Sequence, residues 1–269
     1  GETMTALPAR RILVPVDLSP VSLHAWRWAR VLAAPGARLE AFYVYETPAT
    51  PVLGMPGVSL SSAGRARLVA RLSKDYPGGT VRVEQGDPAV SIARRARGFD
   101  LIVMGSHARR GLDRALLGSV CEAVVRDAPV PVLSVKSGPR KVSSVLAPVN
   151  AMPYSRKGLL LAAQAAEAFG AALTVLHVSP DKTRGPNPRF FLNGMLSRLP
   201  AGSAKAVLPR LVLRTGAPLV EILKESRRHG LVVLTAHRKS LLRDLVLGTT
   251  AERVLRHSKH PVLSAPSGR

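Results

Sequence analysis

The stretch MGSHARRGLDRALLGSVCEAVVRDAPVPVLSV, residues 104–135, leaves an apolar run at Gly105, crosses a loop-like segment to Gly118-Ser119, and continues as a helix pattern and a Val-rich strand. The chain later reads LTAHRKSLLRDLVLGTTAERVLRHSKHPVLSA, residues 234–265, in the same frame. Gly105 and Ala108 become Thr235 and Arg238, whereas Gly118-Ser119 is matched by Gly248-Thr249. The frame of this loop is written twice and its small leading residues once.

The duplication extends outward from these stretches. ILVPVDLSPVS at 12–22 parallels VLAPVNAMPYS at 145–155, and ARLEAFYVYE at 37–46 parallels AALTVLHVSP at 171–180. VEQGDPAVSIARRARGFDLIVMGSHAR at 83–109 parallels VLRTGAPLVEILKESRRHGLVVLTAHR at 212–238. The order is collinear, so the chain reads as two copies of one domain, 1–137 and 141–269, joined at KSGPRK, 136–141. In the first copy, strand patterns at 12–16, 39–45, 80–84, 101–104 and 130–135 alternate with helix patterns starting near Ser19, Gly64, Pro88 and Ser119. Strands that read as continuous Val, Ile and Leu belong to a parallel sheet covered on both faces. Right-handed crossovers then give two tandem doubly wound, Rossmann-like α/β domains, each with five strands in the order 3-2-1-4-5.

Composition narrows the class. Apolar residues make up 46% of the 269, enough for a buried core. The single cysteine, Cys121, excludes an intramolecular disulfide and fits a reducing compartment. The first ten residues carry no apolar signal core, and no apolar run approaches the roughly 20 residues of a spanning helix; the expectation is a cytoplasmic protein. The net charge of +22 favours anionic partners, from nucleotides to a polyanion or an acidic protein. Aromatics are only 4%, leaving few platforms for stacking single-stranded nucleic acid.

A doubly wound sheet binds ligands where chain direction reverses, here between strands 1 and 4. Strand 1 ends in Pro15-Val16-Asp17 and strand 4 in Met104-Gly105, so the two most unusual local sequences share one crevice. Small residues at Gly105, Ser106 and Ala108 let backbone amides approach an anion. Ser119 with Glu122 has capping-box spacing, and a helix start is a ready phosphate site, with Arg109, Arg110 and Arg114 nearby. On the residues alone, an ordinary strand-to-helix connection with an ordinary cap is the preferred reading.

The first copy resembles the universal stress protein family, in its nucleotide-binding branch. The family signature is G-x-x-G, nine residues, then G-[ST]; here Gly105-Ser106-His107-Ala108 is followed by residues 109–117 and Gly118-Ser119. DLIVMGSH, PVPVLSV and ILVPVDLSPVS also look like the family, and the resemblance covers nearly the whole chain. It implies an ATP site, with or without Mg²⁺. Asp17 with the backbone at Pro15 and Val16 would meet the adenosine. Val44 would hydrogen-bond adenine through its backbone. Met104, Gly105, Ala108, Gly118, Ser119 and Val120 would line ribose and phosphates. Ala108 departs from the signature, standing where the second glycine belongs.

In the second copy the acidic position is Asn150, and Thr235 and Arg238 fill the small positions. That copy is either a degenerate partner kept for assembly or a site for another anion through Arg238 and Lys239. The two last strands, rich in Val and Pro, are edge strands expected to pair as an intramolecular pseudo-dimer. No catalytic motif is visible, so at most slow ATP hydrolysis is expected. The alternative is a nucleotide-free binding module using Arg94-Arg95-Arg97, Arg227-Arg228 and 253–260 for nucleic acid or an acidic partner.

Overall fold

The computed structural model describes residues 7–46, 60–106, 117–150, 152–179, 188–197, 209–236, 238–241, 244–247 and 249–266. The first copy runs β1 (Ala9–Val16), α1 (Pro20–Leu32), β2 (Ala33–Tyr45), α2 (Ser62–Asp75), β3 (Thr80–Gln85), α3 (Pro88–Arg95), β4 (Leu101–Gly105), α4 (Ser119–Asp127) and β5 (Val132–Val135). The second runs β6 (Ser144–Val149), α5 (Ser155–Phe169), β7 (Ala172–Ser179), α6 (Pro188–Leu196), β8 (Arg210–Thr215), α7 (Pro218–Ser226) and β9 (Leu231–Ala236). It then adds β10 (Arg238–Leu241), β11 (Asp244–Leu247), α8 (Thr249–His257) and β12 (Val262–Pro266).

One ten-stranded sheet carries the whole chain, in the order β3-β2-β1-β4-β5-β12-β9-β6-β7-β8. Each half has the 3-2-1-4-5 order expected from the sequence, and all pairings within a half are parallel. At the centre β5 meets β12 antiparallel, with Leu133 opposite Leu263 and Val132 opposite Ser264. The pairing turns two strand edges that would otherwise template association into the middle of a continuous sheet.

Strand residues alternate between two apolar layers, as a pleated strand requires. Ile12, Val14, Leu101 and Val103 face one cluster, which also takes Trp28 and Leu32 from α1 and Leu159 and Ala162 from α5. Leu13, Ile102 and Met104 face the other, with Ile92, Cys121 and Val124 from the first copy and Val254, Leu255 and Val262 from the second. Both layers run unbroken across the central seam, so the two copies share their cores.

Trp26 and Trp28 lie two apart on α1, yet both are buried. Trp26 packs edge-on to Tyr76 at 5.5 Å between centroids, and Trp28 packs edge-on to Phe169 of the second copy at 6.4 Å. Helix α1 is therefore covered on two sides. The indole N–H of Trp28 donates to Ser137 O at 3.0 Å, tying the connection between copies to the first helix. Lys136 Nζ donates to Arg256 O at 2.7 Å and Ser258 O at 2.9 Å, placing a cation at the carboxyl end of α8, where the helix dipole favours it.

Two local features differ from the sequence reading. β2 begins at Ala33, directly after α1, with a register irregularity between Ala9 and Arg11 of β1. The region after β9, read as a loop, contains a two-stranded antiparallel hairpin, β10–β11, with Arg238 opposite Leu247 and Leu241 opposite Asp244.

Candidate functional site

β1 delivers Asp17 into a closed hydrogen-bond ring. The Asp17 N–H donates to Ser22 Oγ at 3.0 Å, and the Ser22 hydroxyl donates back to Asp17 Oδ1. The same carboxylate oxygen accepts from the Ser19 N–H at 3.1 Å, and Ser19 Oγ accepts from the Ser22 N–H, capping α1. Between them, Leu18 adopts φ 64, a left-handed conformation costing a non-glycine residue about 1–2 kcal/mol. Leu18 packs against the apolar layer, which holds the tight exit from β1 into α1 and with it the position of the carboxylate.

A cavity of about 370 Å³ opens at the carboxyl ends of the strands, within the range of small-molecule sites. β1 contributes Pro15 and Val16, with Asp17 just past its end; β2 contributes Phe42 and Val44, with Glu46 just past its end. β4 brings Met104 and Gly105, and the start of α4 brings Gly118, Ser119 and Val120. Nine of the ten sequence-predicted residues line this one cavity; Ala108 lies outside the described residues, as do His107, Arg109, Arg110 and Arg114. The structure adds Glu46, Phe42, Val21 and, from α3, Pro88 and Ile92. Spacing alone could not signal these, because their membership depends on where β2 ends and how α1 and α3 lie.

Peptide groups alternate sides along a strand. The Tyr45 C=O accepts from the Gly86 N–H at 3.0 Å, toward β3, so the peptide groups of Val44 turn toward β1. The β1–β2 register ends at Val16 opposite Tyr43, so Val44 stands at the point where that ladder stops.

The start of α4 differs from expectation. Its N-cap is Gly118, with φ −66 and ψ 137, and Ser119 is already the first helical residue. The capping box read from Ser119 and Glu122 does not form: the Glu122 N–H donates to Gly118 O at 3.0 Å as an ordinary helical bond. Among the described residues no side chain caps α4, whereas α1 and α3 are capped by Ser19 and Asp87. The first N–H groups of α4 thus face the cavity with the positive end of the helix dipole behind them. Cys121 is no activated thiol: burial pushes its pKa to about 11, and its Sγ lies 3.4 Å from Ser134 Oγ.

Gly105 also has a reason that sequence did not supply. A Cβ there would stand 2.8 Å from Val21 Cγ1, so the missing side chain first makes room for α1.

The universal stress protein family model matches residues 8–136 and again 141–266. The chain belongs to the universal stress protein family. A universal stress protein of Methanocaldococcus jannaschii is 34% identical over 146 residues, 49% of this chain and 84% of that protein. The Na(+)/H(+) antiporter NhaS5 of Synechocystis is 31% identical over 172 residues, 62% of this chain; the chain spans only 25% of the antiporter's length. Among solved structures, a universal stress protein from Archaeoglobus fulgidus superposes with a TM-score of 0.72 at 21% identity, covering 96% of this chain and 99% of that one.

The second universal stress repeat keeps the turn and changes what surrounds it. The Asn150 N–H donates to Ser155 Oγ at 3.2 Å, and Asn150 Oδ1 accepts from the Ser155 hydroxyl and from the Met152 N–H, reproducing the Asp17 ring without the charge. Its second amide atom, Nδ2, donates to the Tyr154 hydroxyl. Thr235 does not stand as a passive plug. Its Oγ1 accepts from the Gly158 N–H at 3.1 Å and donates to Tyr154 O at 3.3 Å, bonding β9 to the first turn of α5. Arg238 and Lys239 lie in β10; the expected occupation of the crevice by their side chains falls outside what is described.

The basic clusters are partly neutralised. Arg94 pairs with Glu84, Arg95 with the buried Glu40 at 2.7 Å, and Arg256 with Glu252 at 2.8 Å. Arg95 is thus drawn in against Glu40, whereas Arg94 pairs at the surface with its side chain 62% exposed. No helix among the described residues is long and apolar enough to cross a membrane.

Proposed function

We propose that the first repeat binds an adenine nucleotide, ATP foremost, in the 370 Å³ cavity, and that the chain is a cytoplasmic stress-response regulator, not a fast catalyst. One observation carries this reading: an uncapped helix start and the ends of β1, β2 and β4 meet in a single cavity. Free N–H groups at a helix start, backed by its dipole, are the fold's own anion site. The 15–17 segment and Val44 supply a mixed apolar and polar wall on the other side, suited to a nucleoside.

The residues present fit a triphosphate better than a dedicated metal site. Among the described residues no group of three or more His, Cys, Asp or Glu is placed to hold a metal. A Mg²⁺ carried by the phosphates would find Asp17 as its protein carboxylate and keep water and phosphate oxygens for the remaining positions. The chain's own contribution is to bind and orient; the hydrogen-bonded turn at Asp17 fixes the carboxylate and α4 offers amides. In the second repeat Thr235 bonds across the corresponding approach of β9 to α5, so one nucleotide per chain is the expected stoichiometry.

The test is direct. Denatured extracts of purified protein are assayed for nucleotide, and the protein is melted with and without ATP. At a ligand concentration 100 times Kd, the expected stabilisation is about 2.7 kcal/mol. Unchanged melting at millimolar ATP would remove the proposal, and two equivalents per chain would remove its assignment to the first repeat.

A further inference from the structure

We infer that the edge of the sheet where the strands of the second repeat begin docks the phosphate backbone of duplex nucleic acid, through Arg140, Lys141, Arg227, Arg228 and Lys259. The inference does not depend on the cavity of the first repeat holding a nucleotide.

Strand order brings these residues together. β12, β9 and β6 are consecutive in the sheet and parallel to one another. The segments that enter them, 257–261, 227–230 and 136–143, therefore lie side by side. Adjacent strands stand about 4.8 Å apart, so the three entries span roughly 10 Å. Backbone bonds fix them: the Gly230 N–H donates to Ser144 O at 2.9 Å and the Val232 N–H to Pro261 O at 3.1 Å. Burial, then the charges of Arg140, His229 and Lys259, hold the His260 imidazole below its ordinary value, so basic groups from all three entries converge.

Charge at this edge is left unbalanced. None of the three segments contains Asp or Glu. Arg140, Lys141, Arg227, Arg228 and Lys259 are exposed, and no ion pair among the described residues holds them. Glu225 and Glu252, on the neighbouring helices α7 and α8, are committed to Arg214 and Arg256. Glu167 belongs to α5, which covers the other face of the sheet. The first repeat builds the same entries differently. Asp100 stands at the position of Gly230 and pairs with Arg11 at 2.6 Å; Asp127 stands at the position of His257 and pairs with Arg126 at 3.0 Å. Leu7, Pro8 and Pro129 match Arg140, Lys141 and Lys259.

The surface selects its partner. A docked acidic protein needs apolar anchors in a dry centre, and among the described residues none of the large exposed apolar side chains belongs to these segments. They contain no Phe, Trp or Tyr either, so single strands find nothing to stack on. β5 and β12 pair antiparallel, which puts the cavity of the first repeat on this same edge. A flat anionic membrane laid there would also meet Asp17 and Glu46 of the cavity wall. A rod of duplex covers the cationic row and leaves those carboxylates aside. Such phosphate contacts bind by charge and do not read sequence.

Fluorescence anisotropy of a labelled DNA duplex with the full chain, between roughly 50 and 200 mM salt, tests the inference. Five cations predict a slope of log K against log salt of roughly −4. Arg140→Glu combined with Lys259→Glu should weaken binding at least about 30-fold and flatten the slope by about two. Arg140→Gln with Lys259→Gln should act in the same direction more weakly, and keeps the test open should charge reversal disturb the fold. Arg27→Glu with Arg67→Glu removes the same charge from α1 and α2 and should cost less than about threefold. Equal losses in the edge and control variants would mean that net charge alone is at work and would overturn the surface. Duplex binding too weak to detect at the lowest salt overturns it too, as does a preference for single strands, polyglutamate or anionic vesicles over the duplex.

Discussion

In the first repeat the strand supplies the small residue and the helix the large one: Gly105 of β4 lies under Val21 of α1. In the second the roles are exchanged, with Thr235 of β9 set against Gly158 of α5, where an added Cβ would stand 2.5 Å from Thr235 Oγ1. The two contacts solve the same packing problem, how close a helix may come to the end of the fourth strand. They leave different surfaces. A glycine leaves bare backbone beside the cavity, and a threonine spends its hydroxyl on Gly158 and Tyr154. The same contrast holds at the first strand, where Asp17 and Asn150 build one turn and only one carries charge. The turn after the first strand and the Gly-Ser or Gly-Thr helix start are kept in both repeats; the carboxylate and the bare glycine backbone beside the cavity are kept in one.

The largest expected effect comes from filling the first site. Gly118→Glu places a carboxylate at the uncapped start of α4, where it can cap the helix itself and repel phosphate. Gly118 is buried but has ordinary extended angles, so no left-handed strain opposes a side chain there, and circular dichroism checks that the fold survives. ATP affinity is expected to fall at least 100-fold in calorimetry while the circular dichroism spectrum stays that of the parent. Retained affinity would place the anion elsewhere and dissolve the contrast between the repeats.

Exchanging the packing solutions gives the next effect. Gly105→Thr forces a Cβ to 2.8 Å from Val21 Cγ1, on a stiff β-branched side chain, and should destabilise by about 1–3 kcal/mol. Gly158→Ala should cost a similar amount against Thr235. Combining Gly158→Ala with Thr235→Gly relieves the clash, so the double variant should be more stable than the sum of the singles predicts. Additive losses in urea unfolding would show that the two positions are not coupled.

The repeat and its sheet order were legible because buried parallel strands leave continuous apolar runs and the second copy repeats them in order. Nine of the ten site residues implied by the family resemblance line the cavity, because strand ends and signature residues are local features that a resemblance can carry over. What sequence could not show depends on distant partners. Gly105 reads as room for a ligand until Val21, 84 residues earlier, is seen to occupy part of that room. Ser119 and Glu122 have capping-box spacing, but the helix starts at Ser119, one residue too early for its side chain to act as the cap. Arg94 and Arg95 read as a cationic patch until Glu84 and Glu40 are brought against them by β3 and β2.

Glu40 supplies a pH test that separates the repeats, because the matching position in the second is Thr174. Burial alone would raise its pKa, but hydrogen bonds and charge from Arg95 and Arg38 prevail and hold it below 4.5. Its contribution is full above the ordinary carboxyl value and is lost as pH falls through the lower folded value. Glu40→Gln should therefore cost about 1–3 kcal/mol at pH 7, with the gap to the parent closing as pH falls through the lowered folded value in acid titrations followed by tryptophan fluorescence. A constant gap across that range would mean the pair contributes nothing beyond packing. Asp17→Asn, which imports the second repeat's residue, should leave this profile and the melting temperature unaltered, because Asn150 shows that the ring closes with an amide. Its effect should fall on nucleotide binding, about tenfold in calorimetry.

The smallest effect concerns a hydroxyl at the seam. In the first repeat Ser134 Oγ lies 3.4 Å from Cys121 Sγ. The matching serine, Ser264, is buried and has no hydrogen-bond partner among the described residues, because Ala251 stands where the first repeat has cysteine. A buried hydroxyl without a partner is a net loss, and removing it leaves a void of one oxygen. Ser264→Ala is therefore expected to leave stability unchanged or to raise it by up to about 1 kcal/mol, whereas Ser134→Ala should lower it by roughly 0.5–1 kcal/mol. Ala251→Cys should restore the missing partner and make Ser264→Ala unfavourable in that background. If both serine variants lose stability equally, Ser264 has a partner after all, and at this position the two repeats are not different.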